Sequence, residues 1–137
     1  MAVGNVERTY EAKELKAIEA AAKAAYELKG EDILVLDMQS VGYSVTDYFV
    51  IVTAFTKEHM QAIADKIEEE VYKETQIVLD HIEGYDGGWW ILMDFIDFVV
   101  HIMSEEARDY YMLEHLWSDA TTWRYPDDFY KNIEETT

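Results

Sequence analysis

Cysteine is absent from the 137 residues and proline occurs once. The first absence excludes disulfide staples, thiolate zinc sites and cysteine nucleophiles, and is compatible with a reducing compartment. Glycine is scarce as well, at six residues. Gly87-Gly88 is the only adjacent pair and leads into a strand pattern, and no Gly-x-x-x-x-Gly-Lys run occurs, so the chain carries no recognisable phosphate cradle. His59, His81, His101 and His115 are scattered, with no His-x-x-x-His pair to begin a zinc site. No Gly-x-Ser-x-Gly elbow appears either. The apolar runs are too short to cross a bilayer, and the first ten residues lack a basic segment followed by an apolar one. A soluble cytoplasmic protein with no cofactor and no membrane partner is expected.

Basic charge is the other shortage. Eleven Lys and Arg stand against 29 Asp and Glu, a net charge of -18. Residues 1–30 are balanced at five acids and five bases, whereas residues 31–117 hold nineteen acids and four bases. Extended contact with nucleic acid or an anionic membrane is disfavoured by repulsion, and a basic protein surface fits better. Acidity alone can also serve only to keep a protein in solution.

Half of the residues are hydrophobic, enough to bury a core in a chain of this length. Residues 9–29 are rich in Ala, Glu, Lys and Leu, with Leu15, Ile18, Ala22, Ala25 and Tyr26 on one stripe, and predict a helix that stops at Gly30. Residues 32–38 and 48–54 are almost continuously apolar, as in strands covered on both faces, and the linking segment can reverse the chain so that they pair antiparallel. Thr56 is a candidate N-cap for a helix reaching residue 72, and residues 77–82 suggest a third strand. Ser104 can cap a last helix, with Tyr110, Leu113 and Trp117 as its stripe and Tyr111 partly exposed. The fold class is α/β, a mixed sheet of about five strands flanked by helices. Residues 1–120 form one domain, and residues 121–137 an irregular or locally docked extension.

The segment between, residues 88–103, reads as two strands. A two-residue turn at Phe95-Ile96 would pair Asp94 with Asp97, Leu92 with Val99 and Trp90 with His101. One face is then apolar throughout: Trp89, Ile91, Met93, Phe98, Val100 and Ile102. The other mixes Trp90, Leu92, Asp94, Asp97, Val99 and His101, a set that a sealed core would not choose. Opposed carboxylates could hold magnesium for acid-base or phosphoryl-transfer chemistry, or accept Lys and Arg from a partner beside a Trp anchor. The missing phosphate cradle favours binding over catalysis, and the residues by themselves favour a third reading over both, in which a helix covers this face and Trp90 is core.

Trp90-Ile-Leu-Met-Asp94-Phe-Ile-Asp97-Phe-Val-Val-His101 resembles the ribosomal silencing factor family, also called RsfS or Iojap. The resemblance runs from about Leu15 to Trp117. It includes Asp32-Ile-Leu-Val-Leu-Asp37, Ser44-Val-Thr46-Asp47-Tyr48-Phe-Val, His59-Met-Gln-Ala-Ile-Ala-Asp65, Glu83-Gly84 and Glu106-Ala-Arg108-Asp-Tyr-Tyr111-Met-Leu-Glu114-His-Leu-Trp117. The family pattern has Gly where this chain has Ala54 and Ile96. The resemblance implies a nucleotidyltransferase-like fold without transferase chemistry. It further implies binding to large-subunit ribosomal protein fourteen, a block on joining of the small subunit, and lowered translation when nutrients are scarce. Trp90 and Leu92 are then apolar anchors, Asp94 and Asp97 acceptors for partner Lys or Arg, and Asp47, Tyr48, His101 and Tyr111 neighbouring contacts. A magnesium-dependent nucleotidyltransferase using Asp94 and Asp97 is the rival reading. A homodimer formed through the Trp90 patch is a weaker third.

Overall fold

The computed structural model describes residues 2–39, 41–42 and 46–136. Ser40 and residues 43–45, part of the link between the first two strands and of the family-like Ser44-Val segment, lie outside the described residues. Among the described residues the elements follow in the order α1 (Ala2–Glu27), β1 (Glu31–Asp37), β2 (Tyr48–Thr53), α2 (Lys57–Thr75), β3 (His81–Glu83), β4 (Trp90–Asp94), β5 (Phe98–Met103), α3 (Glu105–Tyr111), α4 (Leu113–Leu116), β6 (Thr121–Arg124) and α5 (Asp127–Thr136). The strands form one sheet in the order β3-β4-β5-β2-β1-β6. It is mixed α/β as expected, with β2 and β5 parallel and every other pair antiparallel.

Side-chain alternation divides the core into two layers. Val35, Val50, Val52, Ile91, Met93, Phe98, Val100 and Ile102 face α1 and α2. Leu34, Leu36, Ile51 and Met103 face the opposite way, toward Ala107 and Leu113. α1 ends in a Schellman arrangement: Gly30 N–H donates to Ala25 O at 2.8 Å and Lys29 N–H to Tyr26 O at 3.0 Å. The left-handed residue is Lys29, at φ 66°. Gly30 is needed for another reason, since a Cβ there would stand 2.5 Å from Val52 Cγ2 and 3.0 Å from Ala25 O. α2 is capped as expected, Thr56 Oγ1 accepting from His59 N–H at 2.9 Å.

Several elements depart from the sequence expectation. Of residues 77–82 only the end joins the sheet, as β3. Ile77 and Leu79 pack on the core while Val78 is exposed, and one backbone bond, Asp80 N–H to Asp94 O at 2.9 Å, leads the segment into the ladder. The expected stripe of Tyr110, Leu113 and Trp117 is broken, because Met112 takes φ 48° and ends α3. Tyr110 is left exposed while Leu113 is buried. In the extension, expected to be irregular or locally docked, β6 pairs with β1 along Leu34–Asp37, and Phe129 of α5 is fully buried with Trp123 and Tyr125 against it.

Candidate functional site

The β4–β5 hairpin does not turn at Phe95-Ile96. Asp94 pairs with Val99, Leu92 with His101 and Trp90 with Met103, a register two residues removed from the expected one. Phe95 N–H donates to Phe98 O at 2.9 Å, so Ile96 and Asp97 form the tip. Ile96 lies at φ 76°, and Asp97 N–H donates to Phe95 O at 3.0 Å, the geometry of a classic γ-turn. Asp94 Oδ1 accepts from Ile96 N–H at 2.7 Å and supports the turn. Asp94 and Asp97 are therefore not cross-strand partners, which removes the geometry behind the paired-carboxylate reading. A two-residue slip preserves which side chains share a face. Ile91, Met93, Phe98, Val100 and Ile102 are completely buried, and only Trp89 leaves the apolar set, 39 % exposed.

The other face is half open. Its rows follow from the pairing of β3, β4, β5 and β2: His81, Asp94, Val99 and Phe49, then Glu83, Leu92, His101 and Ile51. α3 and α4 cover one part, so Ile51 and His101 are buried while Phe49, Trp90, Leu92, Asp94 and Val99 remain half-buried. The uncovered part is an apolar floor with carboxylates at its edge.

Aromatic rings build the boundary between the covered and open parts. Trp90 packs on Tyr111 at 4.7 Å between ring centroids and on His101 at 5.6 Å. Phe49 meets His101 edge-on at 4.7 Å and Trp117 at 6.1 Å. The Trp90 indole Nε1–H donates to His101 Nδ1 at 3.0 Å. An indole nitrogen can only donate, so Nδ1 is the acceptor and the neutral imidazole carries its hydrogen on Nε2. Nε2 is buried and has no hydrogen-bond partner among the described residues. Burial lowers the His101 pKa to about 4, which keeps the ring neutral at physiological pH.

Arg108 holds the covering helix in place. Its buried guanidinium donates to Thr53 Oγ1 at 2.8 Å and to Asp32 O at 2.9 Å, tying α3 to the end of β2 and the start of β1. Desolvation lowers its pKa, opposed by the carboxylates of Asp32, 3.4 Å away, and Glu114, 3.7 Å away. Tyr111, three residues on, is thereby fixed over Trp90.

Aspartates gather at the hairpin end of the sheet. Asp80 N–H bonds to Asp94 O at 2.9 Å, Asp47 N–H to Asp97 O at 2.8 Å, and Asp37 is opposite Tyr48 at the far end of β1. Each of the strands β1 to β5 thus has one aspartate at its terminus or immediately before it, at the same end of the sheet. Among the described residues, no group of three or more His, Asp or Glu has the arrangement of a metal site.

The residues singled out from sequence are distributed unevenly. Trp90, Leu92, Asp94 and His101 share the half-open face, Tyr111 lies above it, and Asp47 and Asp97 sit at its acidic end. Tyr48 is on the opposite face, buried, with its ring 6.2 Å from Trp123. Its neighbour Phe49 occupies the open face instead, and sequence reasoning missed it. In a strand apolar from Tyr48 to Val52, alternation gives no signal of which side is free; only the pairing of Phe49 with Val99 does.

Comparison with known proteins follows the same outline. A family described as "Ribosomal silencing factor during starvation" matches residues 10–137. The chain is 40% identical over 103 residues to the ribosomal silencing factor RsfS of Bacillus subtilis, covering 75% of this chain and 86% of that one. It is 36% identical to the chloroplastic protein Iojap of Zea mays over 78% of this chain, though over only 46% of that protein. A crystal structure of a protein from Chromobacterium violaceum superposes with a TM-score of 0.69 at 31% identity, covering 74% of this chain and 83% of that one. The family match includes the C-terminal strand and helix, beyond the limit drawn at Trp117. The chain belongs to the ribosomal silencing factor family.

Proposed function

We propose that this ribosomal silencing factor binds the large ribosomal subunit by laying the open face of β4, β5 and β2 on ribosomal protein fourteen, and that its bulk then keeps the small subunit from joining. The observation that supports this best is the half-buried apolar floor of Phe49, Trp90, Leu92 and Val99, edged by Asp94 and the aspartates at the hairpin end. Such a surface joins a rigid aromatic anchor to carboxylates that can accept hydrogen bonds from Lys or Arg, the composition of an interface centre and its rim. The acidic body favours approach to a basic ribosomal protein and disfavours extended contact with RNA. Action by occupancy needs no catalytic group, so the factor works without a cofactor.

Co-sedimentation with isolated large subunits tests the proposal. Trp90→Ala and Asp94→Lys are expected to abolish or strongly weaken binding, the first by ~2 kcal/mol or more for a central anchor. Undiminished binding by variants that retain a cooperative unfolding transition would remove this face from the mechanism.

A further inference from the structure

We infer that His101 is a positioning residue for the docking face: its Nδ1 accepts the Trp90 indole N–H and holds that ring where an incoming partner meets it. The inference rests on the docking reading and changes the part His101 plays in it. A side chain 5 % exposed, beneath Trp90 and against Phe49, offers almost no surface to a partner. What it offers is one acceptor, 3.0 Å from the indole nitrogen.

Several features make this a constraint on the ring. Trp90 stands on the strand beside β5, one pleat from the residue paired with His101, and has water on one side. Ring packing with Tyr111 limits its tilt but does not by itself choose between the χ2 orientations that exchange the two edges of the indole, whereas a hydrogen bond to the single indole donor does. His101 is fixed in turn by Phe49 on the other side and by the parallel ladder to Ile51 beneath. The bond also requires the neutral imidazole, because a protonated ring would present a second N–H to the indole donor. Burial maintains that state. An anchor already in its bound orientation loses less freedom on association.

Two substitutions separate positioning from mere filling. In His101→Asn the amide oxygen occupies about the position of Nδ1 and can accept from the indole; His101→Leu keeps apolar bulk and removes the acceptor. The Trp90 indole N–H resonance of the free protein, assigned by its loss in Trp90→Phe, reads the bond directly. Binding to large subunits reads its consequence, and thermal unfolding confirms the fold of each variant. His101→Leu is expected to shift the Trp90 indole resonance and weaken subunit binding about tenfold, the scale of one lost hydrogen bond, while His101→Asn restores both. Equal binding by wild type and His101→Leu, or equal weakening in both His101 variants, would overturn the inference. Leu92→Glu tells this failure from failure of the docking reading: if Leu92→Glu binds normally the face itself is wrong, and if Leu92→Glu alone loses binding only the role of His101 is.

Discussion

His101 reaches a different charge state in the folded and unfolded chains, and that difference has a sign. Unfolded, an imidazole titrates near 6.5; folded, this one titrates at about 4. Between those values the unfolded chain holds a proton that the folded chain does not, so stability falls as pH drops from 6.5 toward 4 and the contribution is complete above 6.5. At 1.36 kcal/mol per unit, the loss by pH 4.5 is about 2 to 3 kcal/mol. Carboxylates protonate in part of the same window and relieve repulsion in so acidic a chain, so the informative quantity is a difference. Urea unfolding at pH 7 and pH 4.5 should show wild type losing more stability than His101→Asn; equal losses would contradict the burial argument. Gly30 gives a second prediction at this scale. Its missing Cβ makes room for Val52, so Gly30→Ala should lower stability by about 1 to 3 kcal/mol in the same assay even though Lys29 supplies the left-handed turn.

At the scale of elements, the hairpin separates what alternation can specify from what it cannot. Period-two patterning assigned the buried and open sides correctly, because any even slip preserves them. It could not choose between turns centred one residue apart, and the turn used puts a β-branched residue at positive φ, against the preference of its side chain. Ile96, exposed at 63 %, packs little in return, so Ile96→Gly is expected to raise stability by roughly 1 kcal/mol in thermal or urea unfolding. A loss of stability there would show that Ile96 makes contacts that outweigh the strain. The same distinction explains the other departures. Tyr48 and Phe49 lie in a run apolar at every position, so only strand pairing reveals which one faces outward. Residues 121–124 lack a strand's apolar signature because β6 is an edge with exposed side chains, and it is recognisable only once β1 needs a partner. Removing residues 121–137 would expose that β1 edge and the Phe129 site. The truncated chain should lose cooperative thermal unfolding or self-associate.

Taken whole, the molecule segregates its surfaces. α1 and α2 seal one side of the sheet, α3 and α4 cover part of the other, and the open remainder carries an aromatic anchor beside the aspartate-lined end. Composition made the charge sign and the absence of a phosphate cradle readable from the start. The boundary of the uncovered area was not readable, because it depends on where α3 stops and on Arg108 holding it there. With a net charge of -18, capture by a basic partner should slow as salt rises, seen as a falling association rate between 50 and 200 mM salt while dissociation changes less (about these concentrations bracket a Debye length near 10 Å). The function of the molecule turns on what touches the open face. A photo-crosslinking residue placed at position 92 and irradiated in the presence of large ribosomal subunits tests it most directly. A cross-link from position 92 to ribosomal protein fourteen is expected, with none from an exposed position on α2 such as Tyr72. A cross-link from position 92 only to ribosomal RNA or another protein, or one to protein fourteen from position 72 alone, would contradict it.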